Sequence, residues 1–198
     1  MTVSTTTSSF NYRNTVIFVL CLTLMITLFF YRKPQIFLYP KESTQIVRGP
    51  CFGRVMKSKY EPHNDTWYVA VFLSPLDIHW QLNPVSGKII KMEYDDIGNF
   101  KLAYKMNKSD ENEKCITTYQ VRGSKRTIDM YQIAGIAARR IRTYVAVKEN
   151  FEKGQIMGLI LLGSRVDLII SDGKNFICQV RKNDRINGSQ TIIGQWKN

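Results

Sequence analysis

The chain has 198 residues, 44% of them hydrophobic, and its 28 Lys and Arg against 16 Asp and Glu give a formal net charge of +12. That length suffices for one compact domain after an N-terminal segment and not comfortably for two, and the apolar content argues against a disordered chain. Residues 1–31 hold one base, Arg13, and no acid, so nearly all the excess charge falls on 32–198. There it favours an anionic lipid surface at roughly 1 kcal/mol per well-placed Lys or Arg; nucleic acid is set aside because the basic residues are scattered rather than clustered.

Residues 1–14, rich in Thr and Ser, read as a disordered tail. Residues 15–31 (TVIFVLCLTLMITLFFY) form an uncharged apolar run, at the short end of what a membrane-spanning helix needs. No small-residue cleavage site follows it, and Tyr31-Arg32-Lys33-Pro34 reads as a stop at the membrane interface. A retained single-pass helix is therefore expected. Arg32, Lys33 and Lys41 after it, against Arg13 before it, lean the following domain toward the cytoplasmic side. Residues 32–48 read as a linker and 49–198 as the domain.

From there on the pattern is short apolar runs at 67–73, 87–92, 116–121, 127–133, 157–162, 166–170, 176–180 and 191–193, several rich in β-branched or aromatic residues. Asp172-Gly173 and Asn187-Gly188 are turn dipeptides. Residues 107–114 (NKSDENEK) look too polar for a core and predict a loop or a helix cap, and 132–144 predicts a strand running into a short helical turn. The fold class expected is mostly β (α+β): a compact β-rich domain with a barrel-sandwich-like C-terminal part, preceded by one transmembrane helix. Cys21, Cys51, Cys115 and Cys178 show no C-x-x-C spacing and read as free thiols. With only His63 and His79 to join them, no metal site is expected.

Three segments carry candidate chemistry. In FLSPLDIH (72–79) an apolar strand is expected to deliver Asp77 and His79 two residues apart, on one face, where a carboxylate beside an imidazole suits proton transfer near neutral pH. In QIAGIAARRI (132–141) small residues allow close backbone approach, and Arg139 and Arg140 could hold a phosphate or carboxylate. In LGSRVDL (162–168) one apolar strand ends at Gly163-Ser164 and another follows. Alone, each also reads as a surface pair, a packed strand or a turn.

Together and in this order, with DENEK at 110–114 between the first two, the segments resemble the short, archaeal-type branch of the phosphatidylserine decarboxylase family. The resemblance runs from about Gly49 to the C-terminus. It implies self-cleavage between Gly163 and Ser164, with Ser164 becoming a pyruvoyl group that serves as the electron sink for decarboxylation. The products implied are a large chain, 1–163, and a small chain, 164–198, that stay together. Phosphatidylserine and the anionic membrane are the implied partners, with a second copy of the chain a candidate for a homodimer. No metal or diffusible cofactor is implied. His79 matches the family histidine placed for proton transfer during decarboxylation. Arg139, Arg140 and Arg165 are candidates for binding substrate. Phe52 stands where family members commonly carry an aspartate implicated in self-cleavage, which leaves Asp77 as the nearest candidate base. The alternative reading is an unprocessed, inactive membrane-anchored domain that binds anionic phospholipid.

Overall fold

The computed structural model describes residues 12–95, 112–135, 141–160 and 164–197. It opens on helix α1 (Tyr12–Phe30), none of whose residues is buried. The helix is apolar, with mean hydropathy 2.0, and at about 1.5 Å per residue it reaches about 28 Å, close to the ~30 Å of a bilayer's hydrocarbon core. Its two central hydroxyls do not stay loose: Thr23 Oγ1 donates to the Val19 carbonyl (2.8 Å) and Thr27 Oγ1 to the Thr23 carbonyl (2.9 Å). Both are thereby satisfied inside the helix.

The rest of the described chain is built of strands: β1 (Ile46–Arg48), β2 (Phe52–Glu61), β3 (Thr66–Leu73), β4 (Trp80–Leu82), β5 (Gly87–Asp95), β6 (Lys114–Val121), β7 (Thr127–Ala134), β8 (Ile141–Thr143), β9 (Asn150–Phe151), β10 (Ile156–Ile160), β11 (Ser164–Ser171), β12 (Phe176–Cys178), β13 (Arg185–Asn187) and β14 (Ile192–Trp196). They form an eight-stranded sheet in the order β13-β2-β3-β11-β7-β6-β5-β9, and two three-stranded sheets, β1-β14-β12 and β4-β10-β8. The fold is mostly β, as the pattern of short runs predicts.

Every second residue of the three middle strands faces one core. Val69, Val71 and Leu73 of β3, Val166, Leu168 and Ile170 of β11, and Ile128 and Met130 of β7 share it with Val47, Phe176, Ile193 and Trp196 of the β1-β14-β12 sheet. Burying each such side chain stabilises the fold by about 1.5–3 kcal/mol, so the alternation on β11 specifies its register between two neighbours. Register shifts at Met56 in β2 and Ile90 in β5 are bulges that add local twist and curl the sheet.

The structure departs from the sequence reading in several places. The ten-residue β2 was not anticipated, because Lys57 and Lys59 mask the alternation of a strand that lies near the sheet edge. Residues 74–79 are not strand: β3 stops at Leu73 and a turn follows. Residues 112–113 are not a polar surface loop: Asn112 is 1% exposed and Glu113 5%. Asp172-Gly173 and Asn187-Gly188 each lead into a short 3-10 turn between strands that do not pair with one another. After Ala134 the chain is next described as strand β8; the helical turn expected between them falls on 136–140, outside the described residues.

Candidate active site

Ser164 is the first residue of β11, the strand flanked by β3 and β7, and pairs with Leu73 on one side and Ala134 on the other. It is fully buried and its Oγ has no hydrogen-bond partner among the described residues. Leaving a buried hydroxyl unpaired costs about 1–3 kcal/mol, and such an atom in a well-paired sheet calls for an explanation in function.

The turn beside it is made by Ser74-Pro75-Leu76-Asp77. The Asp77 amide donates to the Ser74 carbonyl (2.9 Å) and the Ser74 amide donates to Asp77 Oδ2 (2.8 Å). This local bonding, with Pro75 lacking an amide hydrogen, ends the strand. The other carboxylate oxygen of Asp77 accepts from the guanidinium of Arg185 on β13. Asp77 is 6% exposed and both of its oxygens are engaged.

His79 is fully buried. Its Nδ1 lies 2.7 Å from the backbone carbonyl of Asp77, not from the carboxylate. That contact favours the tautomer with the proton on Nδ1, leaving Nε2 unprotonated in the neutral ring. Burial holds its pKa below the ordinary 6.5; the Asp77 carbonyl and carboxylate pull the other way but do not win. The resting imidazole is therefore neutral at neutral pH.

Main-chain and glutamine contacts tie this histidine to Ser164. The His79 carbonyl accepts from the Ile160 amide (3.2 Å) at the end of β10, and only 161–163 separate Ile160 from Ser164. The same carbonyl accepts from Gln81 Nε2 (2.7 Å), and Gln81 Oε1 accepts from Gln132 Nε2 (3.1 Å). Gln132 sits on β7 opposite Val166, two residues before Ala134, and so shares the face of Ser164. Gln132 Oε1, like Ser164 Oγ, is buried without a hydrogen-bond partner among the described residues.

Asn112 and Glu113 close the far side. Asn112 Nδ2 donates to the Ala134 carbonyl (2.7 Å), the Ala134 amide to the Glu113 carbonyl (3.0 Å), and the Ile141 amide to Glu113 Oε1 (3.0 Å). They pin both flanks of 136–140, which explains why two polar residues are buried there. Tyr94 also donates its hydroxyl to Glu113 Oε1, and burial with that carboxylate pushes its pKa up to about 12.

The candidates from the sequence thus divide. Ser164, Asp77 and His79 are brought to one end of β3 and β11. Arg165 is not brought to the Ser164 face: it alternates to the other side of β11, where its Nε donates to Asp167 (3.0 Å) beside a hollow of about 270 Å³ that it lines with Tyr68 and Tyr131. Gly163, Arg139 and Arg140 lie outside the described residues. Phe52 pairs with Asn187 on β13 and lays its ring against Gly188, filling the space a side chain there would need; the positive φ of Gly188, 55°, also favours glycine. Arg185 and Gln81 lie outside every quoted motif; Asn112 and Glu113 belong to DENEK (110–114), whose polarity predicts a loop rather than a buried contribution. Gln132 opens a quoted motif, but nothing in its spacing points to Gln81.

A family model for phosphatidylserine decarboxylase matches residues 37–194. The chain belongs to the phosphatidylserine decarboxylase family. It is accordingly an enzyme of the decarboxylase class. Curated relatives named phosphatidylserine decarboxylase proenzyme include one from Chlorobium phaeovibrioides, 31% identical over 176 residues (87% of this chain and 77% of the relative). One from Chlorobium luteolum is 30% identical over 171 residues (84% and 77%), and one from Burkholderia mallei 33% identical over 150 residues (74% and 68%). In this decarboxylase-family fold the family match begins at residue 37 and β1 already pairs with β14, so part of the expected linker belongs to the folded unit.

Proposed function

We propose that the chain is a membrane-anchored phosphatidylserine decarboxylase precursor that cuts itself between Gly163 and Ser164, and that Ser164 becomes its pyruvoyl group. The observation that carries this is the Ser164 hydroxyl, buried and unpartnered among the described residues at the start of the central strand, where Ser164 pairs with Leu73 just before the segment that carries the buried, neutral His79. Ser164 Oγ attacks the Gly163 carbonyl and the amide becomes an ester. Loss of the proton on the Ser164 Cα expels the Gly163 carboxylate, and hydrolysis of the resulting dehydroalanine releases ammonia and leaves the ketone.

The residues present fit such a group. A new terminus at 164 stays held between Leu73 and Ala134. The small chain 164–198 stays attached through β11 inside the large sheet, β13 on β2, and β14 on β1. When formed, the pyruvoyl group supplies the electron-withdrawing carbonyl that accepts the electrons of the breaking carbon–carbon bond. His79 does the proton work: its Nε2 takes the Ser164 hydroxyl proton in the cut, and in turnover returns a proton to the substrate carbon that has lost carbon dioxide. Asp77 is a positioning residue, because its turn presents its own carbonyl to His79 Nδ1 while its carboxylate is spent on Ser74 and Arg185. Gln81 and Gln132 fix the histidine's main chain against the strand next to Ser164. Helix α1 retains the protein in the membrane that holds its lipid substrate.

Intact-mass measurement of the purified wild-type protein tests the reading. Two chains are expected, the smaller beginning at residue 164 with a blocked, ketone-bearing terminus, together with release of carbon dioxide from phosphatidylserine. One uncut chain that binds lipid without turnover would establish the alternative. Arg185→Leu separates the two roles considered for Asp77. If Asp77 positions, losing the pair loosens the turn and slows cutting about tenfold, with Arg185→Lys partly restoring it. If Asp77 is the base, freeing its carboxylate leaves the cleavage half-time unchanged or shorter.

A further inference from the structure

α1 ends at Phe30, and the next residues do not swing free. Arg32 donates to the Phe29 carbonyl (2.7 Å), stacks on the Phe29 ring (4.0 Å) and also donates to the carbonyl of Leu76. Lys33 Nζ lies 5.4 Å from the centre of the Trp80 ring, and Trp80 stacks on Tyr144 at 5.9 Å. The two cations that follow the helix therefore rest on the segment 76–80, the one that carries Asp77 and His79. On that segment Leu76 is 69% exposed, and Tyr144, stacked on Trp80, is 52% exposed.

A single exposed leucine on a soluble surface needs no explanation. This one differs in where it stands. A helix of about 28 Å fills the hydrocarbon core, which puts Arg32 and Lys33 at the headgroups, and Leu76 is one hydrogen bond away from Arg32. Aromatic residues and cations with an apolar neighbour are what an interfacial contact is made of. The short turn also cannot move far from the site, because Asp77 is held by Ser74 and Arg185.

We propose that this turn is a membrane-contacting rim: Leu76, with Tyr144 stacked on Trp80 of the same segment, enters the boundary between headgroups and acyl chains and holds the mouth of the site against the bilayer. The partner is a phospholipid surface, and the inference rests on the membrane-anchor reading of α1. It also assigns a purpose to the contact between Arg32 and Leu76, which couples the orientation of the anchor to the His79 segment. The headgroup of a lipid in the bilayer is thereby presented to the site without the lipid leaving the membrane.

The experiment uses the full chain in phosphatidylserine–phosphatidylcholine vesicles, with Cys21→Ser and Cys178→Ser, and an environment-sensitive fluorophore on Leu76→Cys. Tyr144→Cys is a second probe on the rim. His63→Cys, on the hairpin at the other end of β3, about 25 Å away at ~3.3 Å per residue, is the aqueous control. Blue-shifted emission quenched by lipid-borne quenchers at 76 and 144 but not at 63 is expected. Protein that floats with vesicles while both rim probes stay aqueous overturns the rim and leaves the anchor standing. Protein that does not float overturns the anchor reading and the rim with it. Leu76→Ser should lower turnover of long-chain phosphatidylserine in vesicles about tenfold and leave turnover of dissolved short-chain phosphatidylserine unchanged. An equal loss on both substrates would also overturn the proposal.

Discussion

Ser164→Ala is expected to leave one uncut 198-residue chain with no decarboxylase activity. In the proposed mechanism cutting and cofactor come from the same atoms, so no other group in the described site replaces the hydroxyl. The structure adds an expectation about stability that separates lost chemistry from lost folding. Ser164 Oγ is buried and unpaired among the described residues, so removing it should relieve an unsatisfied polar group rather than break a bond. The variant should therefore melt at the same temperature as the uncut precursor or slightly higher, by up to about 1–3 kcal/mol of relieved cost. Thermal unfolding and denaturing electrophoresis of the same preparation check this. A folded Ser164→Ala protein that still yields the 164–198 fragment would remove Ser164 from both roles. A protein that fails to fold would show that the hydroxyl has a structural partner.

His79→Gln should slow cutting and turnover by about 10²–10⁴-fold, the usual contribution of a positioned acid–base group. Glutamine fills much of the volume of the imidazole and does not titrate, so the loss reports on proton transfer more than on packing. The pH dependence carries its own sign. Burial lowers the His79 pKa below 6.5, so the neutral ring that accepts the Ser164 proton persists into mildly acidic solution. Cutting by the wild-type precursor should fall on the acidic side as the ring becomes charged, with the midpoint of the fall below pH 6.5. The variant should lack that acidic limb. The same shift makes low pH destabilising: the unfolded histidine takes its proton first, so stability declines as pH falls through the ordinary value. Timed electrophoresis across pH, with quenched samples, measures the limb. A limb unchanged in His79→Gln would assign the titration to another group.

The family was legible along the chain, because its signature is carried by short contiguous motifs. The three motif segments and the order in which they occur pointed to the family and to Ser164, His79 and Asp77 without any knowledge of pairing. The apolar run of α1 and the alternation on β3, β7 and β11 were equally readable, since the period of a helix or a half-buried strand is written locally. What the tertiary structure alone decided is non-local. Asp77 looked like the partner of His79 from a two-residue spacing that assumes a strand; the bonding between Ser74 and Asp77 turned the chain instead and sent the carboxylate to Arg185, 108 residues away. Asn112 and Glu113 looked too polar for an interior, yet their hydrogen bonds to Ala134 and Ile141 make burial affordable. Arg165 follows Ser164 directly and still points away from it, because adjacent residues on a strand face opposite sides of the sheet. Which strands stand side by side depends on the sum of many small packing terms over distant segments, and a polar residue's partner is fixed only once that pairing exists.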